Sequence, residues 1–190
     1  MSTLTVSPGT APATTGTASA LRRLYFVRFA FALVWALVMF TLSAKLTPVA
    51  TVLLVVYPLF DVAAAVVDAR ASRTTQSTVV LYVNMAVSLA AAVAVGIAGA
   101  SGVPAVLRVW GAWAIVSGLV QLVVAVPRRA MGGQWPMILS GGISVLAGAS
   151  FVASAGAAEP TLTSAIGYAI PGGVFFLVSA LRLGRAAKQG

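Results

Sequence analysis

The chain contains no cysteine, no histidine and only three acidic residues in 190, Asp61, Asp68 and Glu159. Without cysteine there is no disulfide and no thiolate nucleophile or metal ligand. Without histidine there is no imidazole base, so every Ser-His or Cys-His arrangement is excluded. Three scattered carboxylates build neither a hard-cation cage nor a paired-acid glycosidase site. Charged residues make up 8% of the chain, against roughly 25% in a soluble domain. No catalytic arrangement, bound metal or cofactor is expected, and an enzyme is not.

What the chain has is apolar surface: 60% of residues are hydrophobic and the mean hydropathy is +1.02. Apolar runs cover approximately 24–43, 47–68, 78–98, 104–127, 136–156 and 161–183. At 1.5 Å per helical residue, each run is long enough to cross about 30 Å of hydrocarbon. A spanning β-barrel needs short strands of alternating polarity, and these runs are continuous. The expectation is an all-α membrane protein of six transmembrane helices, in contact with the lipid bilayer. Residues 1–21 read as a disordered cytoplasmic tail, 22–185 as the membrane domain and 186–190 as a second short tail.

A net charge of +9 invites a nucleic-acid reading, but the basic residues do not form a stripe interleaved with aromatics. They occupy particular gaps. Arg22, Arg23, Arg70, Arg73, Arg128, Arg129, Arg182, Arg185 and Lys188 fall on one side of the six spans, and Lys45 and Arg108 on the other. The positive-inside rule then sets the orientation: a plasma-membrane protein with both termini cytoplasmic and no nucleic-acid partner.

A 56-residue period runs through the chain. It relates Pro48, Pro104 and Pro160, each expected at the start of an even-numbered helix. It relates Arg28, Asn84 and Ser140, and likewise Asp61, Ser117 and Gly173. The unit is a helical hairpin, with repeats at approximately 22–75, 76–131 and 132–185. Three equally oriented hairpins imply a pseudo-threefold axis along the membrane normal.

Ionisable side chains inside a span are costly and pair or face a wet interior. Arg28 in the first helix and Asp61 in the second lie at similar depth. They are read first as a clamp within one hairpin, with an ion- or proton-linked site as the alternative. Asp68, seven residues after Asp61, is expected at the lipid headgroups. The remaining candidate polar residues are Asn84, Ser117, Gln121 and Ser140. Small-residue spacings such as Ala114/Gly118, Ala169/Gly173 and the Ser140, Ser144, Gly148 ladder suit close helix packing. They would also accommodate a second copy of the chain or another membrane protein. Trp110 and Trp135 suit an interfacial aromatic belt.

The series formed by WAIVSGLVQLVVAVPRR (113–129), QWPMILSGGISVLAGASF (134–151) and GYAIPGGVFFLVSALRL (167–183), with Arg28 and YPLFDVAAAVVDAR (57–70) as a first repeat, resembles the HdeD-like acid-resistance membrane proteins. Phe29 and Val62 stand where that pattern often has glycine. The resemblance implies a six-helix inner-membrane protein linked to stress, with a membrane-structural role. It supplies no catalytic residue. A small channel or transporter with a polar interior, and an assembly factor for another membrane protein, are the other readings of the same residues.

Overall fold

A computed structural model describes residues 12–42, 45–72 and 78–189. It contains six long helices: α1 (Pro12–Thr41), α2 (Pro48–Ser72), α3 (Val79–Gly99), α4 (Val103–Ala125), α5 (Trp135–Ser154) and α6 (Thr163–Gln189), with a 3-10 turn at Pro127–Met131 between α4 and α5. All six are long and apolar enough to cross a membrane. Local chemistry sets several of the ends. Thr47 caps α2, its Oγ1 accepting from the Ala50 amide at 3.1 Å, and Pro48 follows at the first helical position, where no donor is lost. Gly102 turns α3 into α4 at φ 93°, a left-handed conformation that suits glycine.

The helices stand in a closed ring in chain order, α6 returning to pack on α1. The pairs α2/α3, α4/α5 and α6/α1 pack most closely, alternating with the looser pairs α1/α2, α3/α4 and α5/α6. The tight unit is therefore not the expected hairpin but the pair formed across the basic end. Some buried positions recur at 56-residue intervals: Ala50, Val106 and Leu162 are buried, as are Leu54, Trp110 and Ile166, and Met39, Val95 and Phe151.

The surface is inverted relative to a soluble protein. Ile97 is 69% and Leu146 73% exposed, whereas Asn84 is 7% and Ser88 0% exposed. Apolar side chains directed outward all round the ring are stable only against lipid, and the chain is a multi-pass membrane protein.

Two tails differ from expectation. Helix α1 already begins at Pro12, so residues 12–21 are not a disordered tail; residues 1–11 lie outside the described residues. The extension docks. Thr17 Oγ1 donates to the Ala71 carbonyl at 3.1 Å, and Leu21 is buried in an apolar cluster with Leu183. At the other end, α6 runs through Gln189, covering most of the expected tail at 186–190. Pro48 and Pro104 lie in the first turns of α2 and α4, but Pro160 lies three residues ahead of α6, in the connecting segment.

Glycine sets the α4/α5 distance. A Cβ on Gly111 would stand 2.5 Å from the Gly148 carbonyl oxygen, and one on Gly118 would stand 2.8 Å from that of Gly141. The interlocking residues are two turns apart, rather than at the small-xxx-small spacing expected for Ala114/Gly118, and Ser144 shares the seam, its Cβ 2.8 Å from where a Cβ on Gly118 would stand. Gly148→Ala is expected to lower stability in detergent by about 1–3 kcal/mol, since the two backbones must separate. Gly142→Ala, whose Cβ meets nothing within 4 Å, is the control and should leave the melting temperature unchanged or slightly raised.

Topology is testable directly because the native chain has no cysteine. Single cysteines at Ser19 and Ala130, both exposed, are expected to react only with reagent supplied from the cytoplasm. Cysteines at Ser101 and Ala158, exposed at the opposite end, should react only from outside. Labelling of Ser19 and Ala130 from different sides would overturn the six-span topology.

Candidate functional site: a polar chamber inside the ring

Asp61 sits eleven residues from the C-terminus of α2, roughly 16 Å along the axis. That is deeper than the expected end of α2 at residue 68 implied. Its carboxylate draws donors from two neighbouring helices. Arg28 Nη2 of α1 donates to Oδ1, forming an ion pair. On Oδ2, Asn84 Nδ2 donates at 2.7 Å and Ser88 Oγ at 2.9 Å, both from α3. Ser88 in turn accepts from the Trp113 indole N–H of α4 at 3.0 Å. The guanidinium of Arg28 lies 4.4 Å from the ring centroid of Phe176 on α6, a cation–π contact. Asn84 and Ser88 reach one oxygen because they are one helical turn apart on the same face.

A second ion pair lies towards the basic end. Arg128, in the turn after α4, donates through Nη1 to Asp68 Oδ2 at 2.9 Å and through Nη2 to Ser72 Oγ at 2.9 Å. Ser72 donates to Asp68 Oδ1 at 2.9 Å. Asp68, expected at the lipid headgroups, is thus paired inside the bundle near its basic end. Helix α2 continues four residues beyond it, so the carboxylate is buried and paired. Arg128, read from sequence only as a topological charge, is 3% exposed and bridges α2 to the α4–α5 turn. Its neighbour Arg129 faces outward and donates to the Val126 carbonyl. Nothing in the local sequence distinguishes the two arginines; the signal was the second acid, which at depth demands a second cation.

All seven candidate residues, Arg28, Asp61, Asp68, Asn84, Ser117, Gln121 and Ser140, line one cavity of about 140 Å³ between the six helices. Ser117 Oγ donates to the Trp113 carbonyl of its own helix at 2.7 Å. Gln121 Nε2 donates to the Met137 carbonyl at 2.7 Å, tying α4 to α5. Ser144 donates to the Ser140 carbonyl at 2.9 Å and lies 2.6 Å from the Tyr168 hydroxyl. Sequence reasoning left out Gln134, which is fully buried on the wall with neither amide atom hydrogen-bonded; Tyr25 lies against it. As a polar residue just ahead of α5, Gln134 read as part of a loop.

Apolar clusters bound the chamber along the bundle axis. On one side lie Trp35, Met39, Leu54, Leu107, Trp110 and Phe151, and on the other Leu21, Leu24, Met137 and Leu183. Trp110, expected in an interfacial belt, is instead buried, stacked on Trp35 at 5.7 Å and edge-on to Trp113 at 5.3 Å. Trp135 is 59% exposed. Both carboxylates in the spans are ion-paired, and among the described residues no three metal-binding side chains come together.

No family model matches the chain, and no curated protein or solved structure is detectably similar to it.

Removing one member of the buried pair is expected to cost more than removing both. Asp61→Asn leaves the Arg28 cation without its counter-ion and turns an amide N–H₂ or carbonyl towards donors placed for a carboxylate. A loss of about 3–5 kcal/mol is expected. Arg28→Met should be milder, because Asn84 and Ser88 still donate to Asp61. Arg28→Met combined with Asp61→Leu should recover part of the loss. Thermal unfolding of the four proteins in one detergent gives the coupling directly; coupling near zero would show that the pair does not hold α1 to α2.

Proposed function

We propose that the protein is a plasma-membrane protein of the HdeD-like type, with both termini cytoplasmic, that serves a stress response through its central chamber rather than through catalysis. The observation that carries this reading is the convergence of polar side chains from five of the helices on one interior space. A scaffold that only filled the membrane would gain nothing from keeping a buried amide unpaired beside a cavity. The chamber favours the small-carrier reading over the assembly-factor reading for a second reason. The glycines at 111, 118, 141 and 148 are consumed in the α4/α5 seam and do not present a small-residue face to a partner.

We also propose that the ring is built from three hairpins related by a pseudo-threefold axis. The alternation of close and loose helix pairs and the burial at 56-residue intervals support it. The concentration of basic residues at one end supports the cytoplasmic assignment of the termini.

A membrane-structural role is the second reading. The complete set of internal donors around Asp61 favours it, since a satisfied network stabilises without any guest. The two separate on one substitution. Ala114 lines the chamber, and Ala114→Leu adds three carbons there while leaving both ion pairs intact. In a deletion strain challenged with acid, the wild-type chain is expected to restore survival. Ala114→Leu, expressed and folded to the same level, is expected to restore at least tenfold less. Full restoration by Ala114→Leu would show the role to be structural, and unimpaired survival of the deletion strain would remove the acid link.

A further inference from the structure

The chamber carries no net charge but is not saturated with hydrogen bonds. Arg28 is compensated by Asp61, and Arg128 by Asp68. Several groups on the wall remain unused. Both amide atoms of Gln134 lack partners although the residue is 1% exposed. Among the described residues, none donates to or accepts from the Tyr57 hydroxyl or the Trp110 indole N–H, and both side chains face the chamber. Much of the remaining wall is aromatic, from Trp113, Tyr168 and Phe176.

These features select a ligand by charge, size and polarity. A charged guest would have to shed its water against a wall whose every full charge is already paired, with no counter-ion left to receive it. That desolvation is far more costly than burying a neutral polar group that finds hydrogen bonds. A space of about 140 Å³ is close to the roughly 150 Å³ that holds one benzene ring. Ring faces and edges on the wall suit a flat guest. The free indole N–H and phenol O–H donate, and the Gln134 amide both donates and accepts.

We propose that the chamber binds a compact, uncharged, flat molecule: one ring, or its aliphatic equivalent in size, carrying a single carbonyl- or amide-type group. This rests on the reading of the chamber as the working site and names the class of its ligand. Such a molecule partitions into a bilayer, so it can reach the ring from the lipid without crossing an aqueous pore.

Three probes of one shape and different charge test it: benzamide, benzoate and benzamidinium, with toluene as the ring without a polar group. Binding to the purified full chain in detergent is followed by quenching of tryptophan emission and by thermal stabilisation. Benzamide is expected to bind saturably and raise the melting temperature, with benzoate and benzamidinium at least tenfold weaker. Tyr57→Phe, which keeps the ring and removes only the hydroxyl, should weaken benzamide at least threefold while leaving toluene within twofold. Ala114→Leu should abolish saturable binding and so distinguish the chamber from partition into the micelle. Binding of either ion as tightly as benzamide would overturn the charge assignment and leave the chamber as the site. Absence of saturable binding by all four probes, or binding unaffected by Ala114→Leu, would overturn both the ligand class and the chamber reading.

Discussion

The carboxylate of Asp61 is the constraint on which the bundle is organised. Between lipid-facing helices, apolar contact discriminates poorly, because hydrocarbon chains offer side chains much the same environment as another helix does. A buried carboxylate discriminates strongly, since its lone pairs must all find donors in one geometry. Here the donors come from α1 and α3, Ser88 extends the network to Trp113 of α4, and Arg28 carries it to Phe176 of α6. One side chain on α2 thereby sets the relative rotation of four other helices. Helix α5 is held by different means, the glycine seam with α4 and the Gln121 amide on the Met137 carbonyl.

This division explains why an interior cavity persists. Bulky side chains fill the bundle on either side of the polar layer, including Trp35, Leu54 and Phe151 on one side and Leu183 on the other. Within the layer the side chains must keep their hydrogen-bonding atoms on target, so they cannot relax to fill space as Leu or Met would. Serine and asparagine at this depth satisfy the carboxylate but, with the alanines beside them, leave volume behind. Because α4 and α5 already touch backbone to backbone, the ring cannot contract on that side.

The spans and the first ion pair were legible in the sequence. Continuous apolar runs report helix length directly, and Arg28 and Asp61 could be matched by depth because they were the deepest opposite charges in adjacent spans. What escaped had physical causes. The pairing of Asp68 escaped because a hydropathic boundary marks where lipid contact ends, whereas α2 continues for another turn on the strength of its contacts with Arg128 and Thr17. The helical state of residues 12–21 escaped because Thr, Ser and Ala carry no periodic apolar signal; docking on α2 and on the Leu183 cluster orders them. Arg128 and Arg129 are adjacent and identical in type, and only the direction of the 3-10 turn decides that one is buried and the other exposed. Trp110 looked interfacial by position, but its partners, Trp35 and Trp113, lie on α1 and further along its own helix.

The chamber is asymmetric in its polar lining. Arg28 and Asn84 occupy equivalent positions on α1 and α3, and both donate to Asp61, from either side of α2. The third equivalent, Ser140, is too short to serve a comparable role, and its Oγ takes no part in the Asp61 network. The positions equivalent to Asp61 are Ser117, which satisfies itself on its own helix, and Gly173, which packs against Ala32. Polarity and bulk are therefore concentrated on α1, α2 and α3. In a ring with three equal units, three carboxylates and three cations would face one axis at close range, which apolar surroundings do not tolerate. Hydroxyls and glycine at the other positions avoid that repulsion and leave the Arg28–Asp61 pair satisfied. They also convert the volume of the missing side chains into space beside Ser117 and Ser140, both of which line the chamber.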